Sequence, residues 1–204
     1  MKKPAPAPEP PAESHLQSIA SLCTTLVTGL FVLTFIFQNF AIPSASMAST
    51  LLVGDHVIVD RASLAPPASG PHILPYRPLR RGEPVVLFKP VLEPDGTNVI
   101  LVKRVIGLPG ETISLSGNGY VLINGKRLDE TWLPTSVQGT TYPGPSGTPY
   151  SLSHPYKIPA NHYFMMGDNR GDSCDSRFWG PIPKSLMVGK VDLRIWPLTR
   201  FHFF

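Results

Sequence analysis

The chain has 204 residues, 42% of them apolar and 9% aromatic, enough for one packed domain with appendages and too apolar for a disordered chain. Charged residues make up only 16%, and 24 Pro with 17 Gly disfavour a helical bundle and favour a turn-rich β protein. The net charge of +4 is scattered, which speaks against a nucleic-acid reader and fits attraction to an anionic membrane surface, while two cysteines exclude a disulfide scaffold or a CxxC zinc site.

In chain order, residues 4–13 (PAPAPEPPAE) form a low-complexity tail. No Asp, Glu, Lys or Arg occurs from Ser14 to Gly54, and Ile19 to Phe40 is mostly apolar. About 20 such residues span a bilayer as a helix. The expected division is a cytoplasmic tail over 1–17, a transmembrane helix over 18–40 and an extracytoplasmic domain over 41–204. A cleavable secretory leader ending at Ser44-Ala45-Ser46 is the rival, but the apolar run exceeds the ~7–15 residues of a leader core. Lys2 and Lys3 precede the run and Arg61 is the first basic residue after it, so the tail is expected inside and the domain outside. Cys23 would then lie in the membrane and Cys174 outside, unpaired.

From Leu51 onward the reading is strand. Val53–Val59, Pro84–Phe88, Val99–Ile106, Tyr120–Ile123, Tyr163–Met166 and Val188–Trp196 are short β-branched or aromatic runs. Asp95-Gly96 and Asn124-Gly125 are hairpin-turn dipeptides. Arg61 to Arg80 and Thr135 to Pro155 read as long loops.

No GxSxG elbow, HExxH, P-loop or GxGxxG is present, and six scattered histidines lack metal-ligand spacing. Three segments stand out. Ile42-Pro43-Ser44-Ala45-Ser46-Met47-Ala48-Ser49-Thr50-Leu51 sets two hydroxyls beside apolar residues where a loop should be polar; alone, it reads equally well as a Ser-rich linker. In Val99 to Gly110, strand alternation puts Lys103 on a face with Val99, Leu101 and Val105. Desolvation there would lower its pKa and make it a competent base, the alternative being an edge-strand lysine that snorkels to water. Arg104 stays protonated and suits an ion pair. Gly167 to Gly180 is dense in Gly, Asp, Asn, Ser and Arg yet ends in Phe178-Trp179, unusual for a solvated turn. Asp168, Asp175, Arg170 and Arg177 could frame it with ion pairs, and Ser173 or Ser176 could donate inward.

These segments, with Arg81-Gly82-Glu83-Pro84-Val85-Val86, occur in the order of the signature boxes of type I signal peptidases (leader peptidases), which the chain resembles over nearly all of its outward part. The resemblance implies a mainly β fold of short, largely antiparallel strands behind one transmembrane helix, with 111–162 forming a small β cap. It implies a serine endopeptidase with Ser46 as nucleophile and Lys103 as general base. Ser44 would join the Ser46 N–H in the oxyanion hole, and Ser173 would orient the lysine. Asp168 with Arg104 and Asp175 with Arg177 would be structural ion pairs. Phe40, Ile42, Met47, Leu51 and Val102 would line the cleft for small residues at −1 and −3 of a signal peptide. No metal or cofactor is implied. The expected partners are signal peptides of exported preproteins, the lipid bilayer and the neighbourhood of the export translocon, with no nucleic acid, at a bacterial inner membrane. Ser49 stands where the family usually has Pro, and Glu83 where it usually has Asp. The rival function is a catalytically silent anchored β domain serving a secretion system.

Overall fold

The computed structural model describes residues 15–35, 37–64 and 77–204. The Pro-rich tail and most of the loop read between Arg61 and Arg80 fall outside them. A helix, α1 (His15–Phe35), carries no acidic residue in its first turn and no basic one in its last. Its described apolar side chains, among them Leu16, Ile19, Leu22, Leu26 and Leu30, are exposed. The span expected over 18–40 is longer than this helix. Residues 37–40 belong to a strand, β1 (Phe37–Ala41), because their backbone pairs with β2 (His56–Asp60). Among the described residues no helix is long and apolar enough to cross a membrane.

The rest is mainly β, and every recorded strand pair is antiparallel. After β2 come β3 (Pro84–Phe88), β4 (Ile100–Gly107), β5 (Thr112–Leu115), β6 (Val121–Ile123), β7 (Lys126–Arg127) and β8 (Tyr156–Lys157). They are followed by β9 (His162–Met166), the short helix α2 (Ser176–Trp179), β10 (Ile182–Pro183), β11 (Met187–Trp196) and β12 (His202–Phe203). One sheet of eight strands runs β1-β2-β11-β3-β4-β9-β10, with β12 on β11. A second, four-stranded sheet runs β7-β6-β5-β8 and lies wholly within the insert 111–162. Its Asn124-Gly125 turn has φ of 50° and 78°, the positive pair that a two-residue hairpin requires.

Alternation along the large sheet separates two cores. Val86 and its register partner Val102 face a cluster with Ile42, Met47, Leu51, Val57, Val59 and Val191. Val85, Leu87 and Val105 face the opposite cluster with Leu79, Tyr163, Met165 and Ile182. Lys103 pairs in register with Val85 and sits between Leu101 and Val105 on that second face. Arg104, one residue on, points the other way. β9 lies beside β4 in the register Arg104–Met166, so the loop leaving β9 at Gly167 emerges next to both basic side chains.

Candidate active site

Ser46 lies in a single 3-10 turn, Ala45–Met47, entered through an extended Ser44 at φ −138°, ψ 157°. The turn sits in a closed loop, since Ile42 N–H donates to Asp55 O at 2.8 Å and Gly54 N–H to Ile42 O at 3.0 Å. Ser46 is 9% exposed, and its Oγ is 3.2 Å from Ser44 Oγ. The loop after β9 is fastened to this turn: Asn169 N–H donates to Ser46 O at 3.0 Å, and Asn169 Nδ2 to Ala45 O at 3.2 Å.

Lys103 is 2% exposed and donates from Nζ to Ser173 Oγ at 3.0 Å. Burial pushes its ammonium down from the ordinary 10.5 to about 8, against the opposing pull of the Asp175 carboxylate. Ser44, Ser46 and Lys103 line one cleft of about 290 Å3, together with Val99, Leu101 and Trp179. Lys89, Glu93 and Asp172 supply its charged lining, and the exposed, unpaired Cys174 also lines it.

Two buried ion pairs hold the third segment in shape. Asp168, fully buried, accepts from Arg104 Nε at 2.8 Å and Nη2 at 2.5 Å and from Thr50 Oγ1 at 2.5 Å. It thereby ties β4 to the loop that carries Ser46. Asp175 accepts from Arg177 Nε at 2.9 Å and Nη2 at 2.8 Å and from Gly167 N–H at 3.0 Å. Gly167 is a close-approach glycine: a Cβ there would lie 2.2 Å from Ser173 Oγ and 2.4 Å from Ser46 O. Two catalytic candidates therefore meet across a residue without a side chain.

Ser44, Ser46, Lys103 and Ser173 come together, and the pairs Asp168–Arg104 and Asp175–Arg177 are formed. Ile42, Met47, Leu51 and Val102 also come together, with Phe40 against them, but as a buried cluster at most 6% exposed. The cleft shared by Ser46 and Lys103 takes its apolar lining from Val99, Leu101 and Trp179 instead. Sequence reasoning left out Thr50, Asp55, Glu130, Thr141, Arg194 and Arg200. Asp55 accepts from Arg200 Nη1 at 2.8 and 2.9 Å, and Thr50 O accepts from Arg194 Nη1 at 2.6 Å, so the loop after Ser46 is stapled to β11 and its extension. These residues carry no local sequence signal: the partners of Thr50 and Asp55 at Arg194 and Arg200 lie more than a hundred residues away, and Glu130 and Thr141 meet Arg170 across 40 and 29 residues.

A family model described as "Signal peptidase, peptidase S26" matches residues 15–196. The chain is 35% identical to a signal peptidase I of Leptolyngbya laminosa, covering 95% of this chain and 86% of that protein. It is 33% identical to a signal peptidase I of Bacillus caldolyticus, over 83% of this chain and 85% of that protein. With signal peptidase IB of Staphylococcus aureus the identity is 32%, over 92% and 93% of the two chains. A crystal structure of a signal peptidase I from Enterococcus faecalis V583 aligns with 56% of this chain and 97% of its own, at 23% identity and a TM-score of 0.39. On matches that span nearly its whole length, the chain belongs to the signal peptidase family, peptidase S26, and is a serine peptidase of the signal peptidase I type.

Proposed function

We propose that the protein cleaves N-terminal signal peptides from exported preproteins with Ser46 as nucleophile and Lys103 as general base. One observation carries this reading: the only lysine sunk in an apolar strand face among the described residues shares a cleft with Ser46 and is held by Ser173. A serine hydroxyl is a weak nucleophile until a base takes its proton. Neutral Lys103 takes it as Oγ bonds to the scissile carbonyl carbon. The carbonyl π electrons move to oxygen, where the Ser44 hydroxyl and the Ser46 N–H donate to the oxyanion. Losing one such donor typically costs ~10²–10³ in rate. The intermediate collapses, the C–N bond breaks, and protonated Lys103 gives its proton to the leaving amine. Water, deprotonated by the same amine, then attacks the ester, and Ser46 leaves with a proton from Lys103.

Val99, Leu101 and Trp179 give the cleft beside Ser46 an apolar lining suited to small residues at −1 and −3, while Phe40, Ile42, Met47, Leu51 and Val102 pack as the cluster that holds the Ser46 turn. A charge placed there would cost several kcal/mol, about 2–7 even for an unpaired neutral polar group. An extended substrate alternates its side chains, so −2 points away.

Anchoring belongs to the same reading. No described helix is by itself long and apolar enough to cross a membrane, so the anchoring reading rests on the charge-free run from Ser14 to Gly54, within which the 21 residues of α1 measure about 31 Å at ~1.5 Å per residue. Its threonines soften its polarity: Thr24 and Thr25 donate their hydroxyls to the carbonyls of Ala20 and Ser21, each at 2.9 Å. The distribution of lysine and arginine supports a cytoplasmic tail and an outward-facing domain; a bacterial inner membrane and work beside the export translocon follow from the signal-peptidase reading.

The experiment is cleavage of a signal-peptide substrate by purified full-length chain in detergent. Ser46→Ala and Lys103→Ala should each fall to near background while still melting cooperatively. A peptide series should prefer Ala at −1 and −3 and be indifferent at −2. Substantial turnover by either folded variant would remove the Ser/Lys mechanism, and cleavage after Lys or Asp at −1 would remove the apolar subsite.

A further inference from the structure

Behind the cleft lie three buried arginines, Arg104, Arg170 and Arg177, each at most 3% exposed. One stretch of the insert, 130–142, meets all three. Glu130 forms an ion pair with Arg170 in which both side chains are at most 2% exposed. Thr141 Oγ1 accepts from Arg170 Nη1 at 3.0 Å. Tyr142 O accepts from Arg177 Nη1 at 3.1 Å, and its ring lies 4.4 Å from that guanidinium. The Trp132 ring lies 5.3 Å from the Arg104 guanidinium. The stretch is braced from within, since Gln138 Nε2 donates to Glu130 O and Leu133 O at 3.2 and 3.1 Å.

What the arginines hold on their other side is the wall of the cleft. Arg170 Nε donates to Gly167 O at 3.0 Å, while Asp175 takes the Gly167 N–H. Arg177 donates to Arg170 O at 3.0 Å and to Ser173 O at 3.4 Å. Gly167 is thus gripped at both its carbonyl and its N–H at the point where it packs against Ser173 Oγ and Ser46 O. A buried ion pair is roughly break-even for stability against apolar replacements, so stability does not explain Glu130. Misplacing a catalytic group by ~1 Å can cost ~10² in rate.

We propose that the stretch 130–142 is a positioning element for catalysis: Glu130 and Thr141, acting through Arg170 on Gly167, fix the gap in which Ser173 holds Lys103. The inference rests on Lys103 being the general base, and its test separates the two. Lys103 faces Asp168, Cys174 and Asp175 from the loop after β9 and Arg177 from α2, and shares its cleft with Lys89, Glu93 and Asp172. Full-length Glu130→Gln and Thr141→Val are compared with wild type for kcat, KM, melting and the acid limb of the pH–rate profile.

The expected result is kcat lowered ~10-fold or more with KM within about twofold, and an acid limb moved upward, because a loosened gap lets water reach the amine. The sign is informative. Removing the negative charge of Glu130 without loosening anything would move the limb downward, and Thr141→Val changes no charge at all. Thr141→Val carries the test alone where Glu130→Gln does not fold. A limb left at or below its wild-type position in the folded variants overturns the inference, whatever happens to kcat. Full activity in Lys103→Ala would instead overturn the lysine mechanism, and the inference with it.

Discussion

Lys103 concentrates the residue-scale physics. With its pKa pushed from 10.5 to about 8, folding must release a proton that the unfolded chain keeps. Between pH 8 and 10.5 the unfolded state binds more protons, so stability rises with pH across that window. Below pH 8 both states are protonated and the full cost is present, about 3 kcal/mol at ~1.4 kcal/mol per unit. Lys103→Met keeps the volume and removes the charge. It should therefore raise the melting temperature at pH 7, with an advantage that shrinks as pH climbs from 8 toward 10.5; an unchanged melting temperature would contradict the buried ammonium. The cleavage rate of the wild type should rise about tenfold per pH unit below 8 and level off above it. The apolar strand face of Lys103 was legible in sequence, because alternation places it between Leu101 and Val105, but whether it is buried or snorkels to water was settled only by the strands on either side, β3 and β9. The hydroxyl it donates to was not, since Ser173 lies in another segment and only the family likeness singled it out over Ser176. Ser176 Oγ instead accepts from the Met165 N–H at 2.9 Å, a purely architectural bond.

At the scale of elements, the site is two loops pressed together, 42–55 and 167–175. Ser49, where the resemblance leads one to expect proline, does not leave the first loop loose. Its Oγ donates to Asp168 O at 3.4 Å, and Thr50 is bonded from both sides, by Arg194 to its carbonyl and through its hydroxyl to Asp168. The critical contact is Gly167. Gly167→Ala must displace either Ser173 or the Ser46 carbonyl, and overpacking of this kind typically costs ~1–3 kcal/mol. The variant should stay folded with a modestly lowered melting temperature and lose ~10²-fold in kcat. Near-normal kcat would show that the close packing has no catalytic role. The long strands were legible because Pro84–Phe88 is an unbroken apolar run buried on both faces and Val191 to Ile195 alternates apolar and polar residues. The two-residue strands β7, β8, β10 and β12 have no period to read. The end of α1 was misjudged because Phe35-Ile36-Phe37-Gln38-Asn39-Phe40 is apolar enough for a span, and only pairing with β2 assigns 37–41 to the sheet.

For the whole molecule, one end is apolar on its outside. Trp196, Leu198, Phe201 and Phe203 are 50–70% exposed, and Leu52 and Val53 are exposed on the loop that Asp55 fastens to Arg200. Aromatic side chains of this kind favour the membrane interface. Trp196→Ala combined with Phe203→Ala should weaken binding to anionic lipid vesicles and slow cleavage of a vesicle-bound preprotein, while a short soluble peptide is cut at the wild-type rate. Equal losses on both substrates would assign these residues to the cleft instead.

The direct passage from helix to sheet has one more consequence. Ser46 lies eleven residues beyond Phe35, and five of those residues are committed to β1. Even fully extended, eleven residues reach only ~40 Å, and the 3-10 turn Ala45–Met47 shortens that. On the proposed reading, with the charge-free run in the bilayer and Ser46 as nucleophile, Ser46 works on a short leash and at a nearly constant height. That arrangement would gauge distance as well as side chains: a suitable Ala-X-Ala held far above the lipid would be out of reach, and the same three residues just outside the membrane would not.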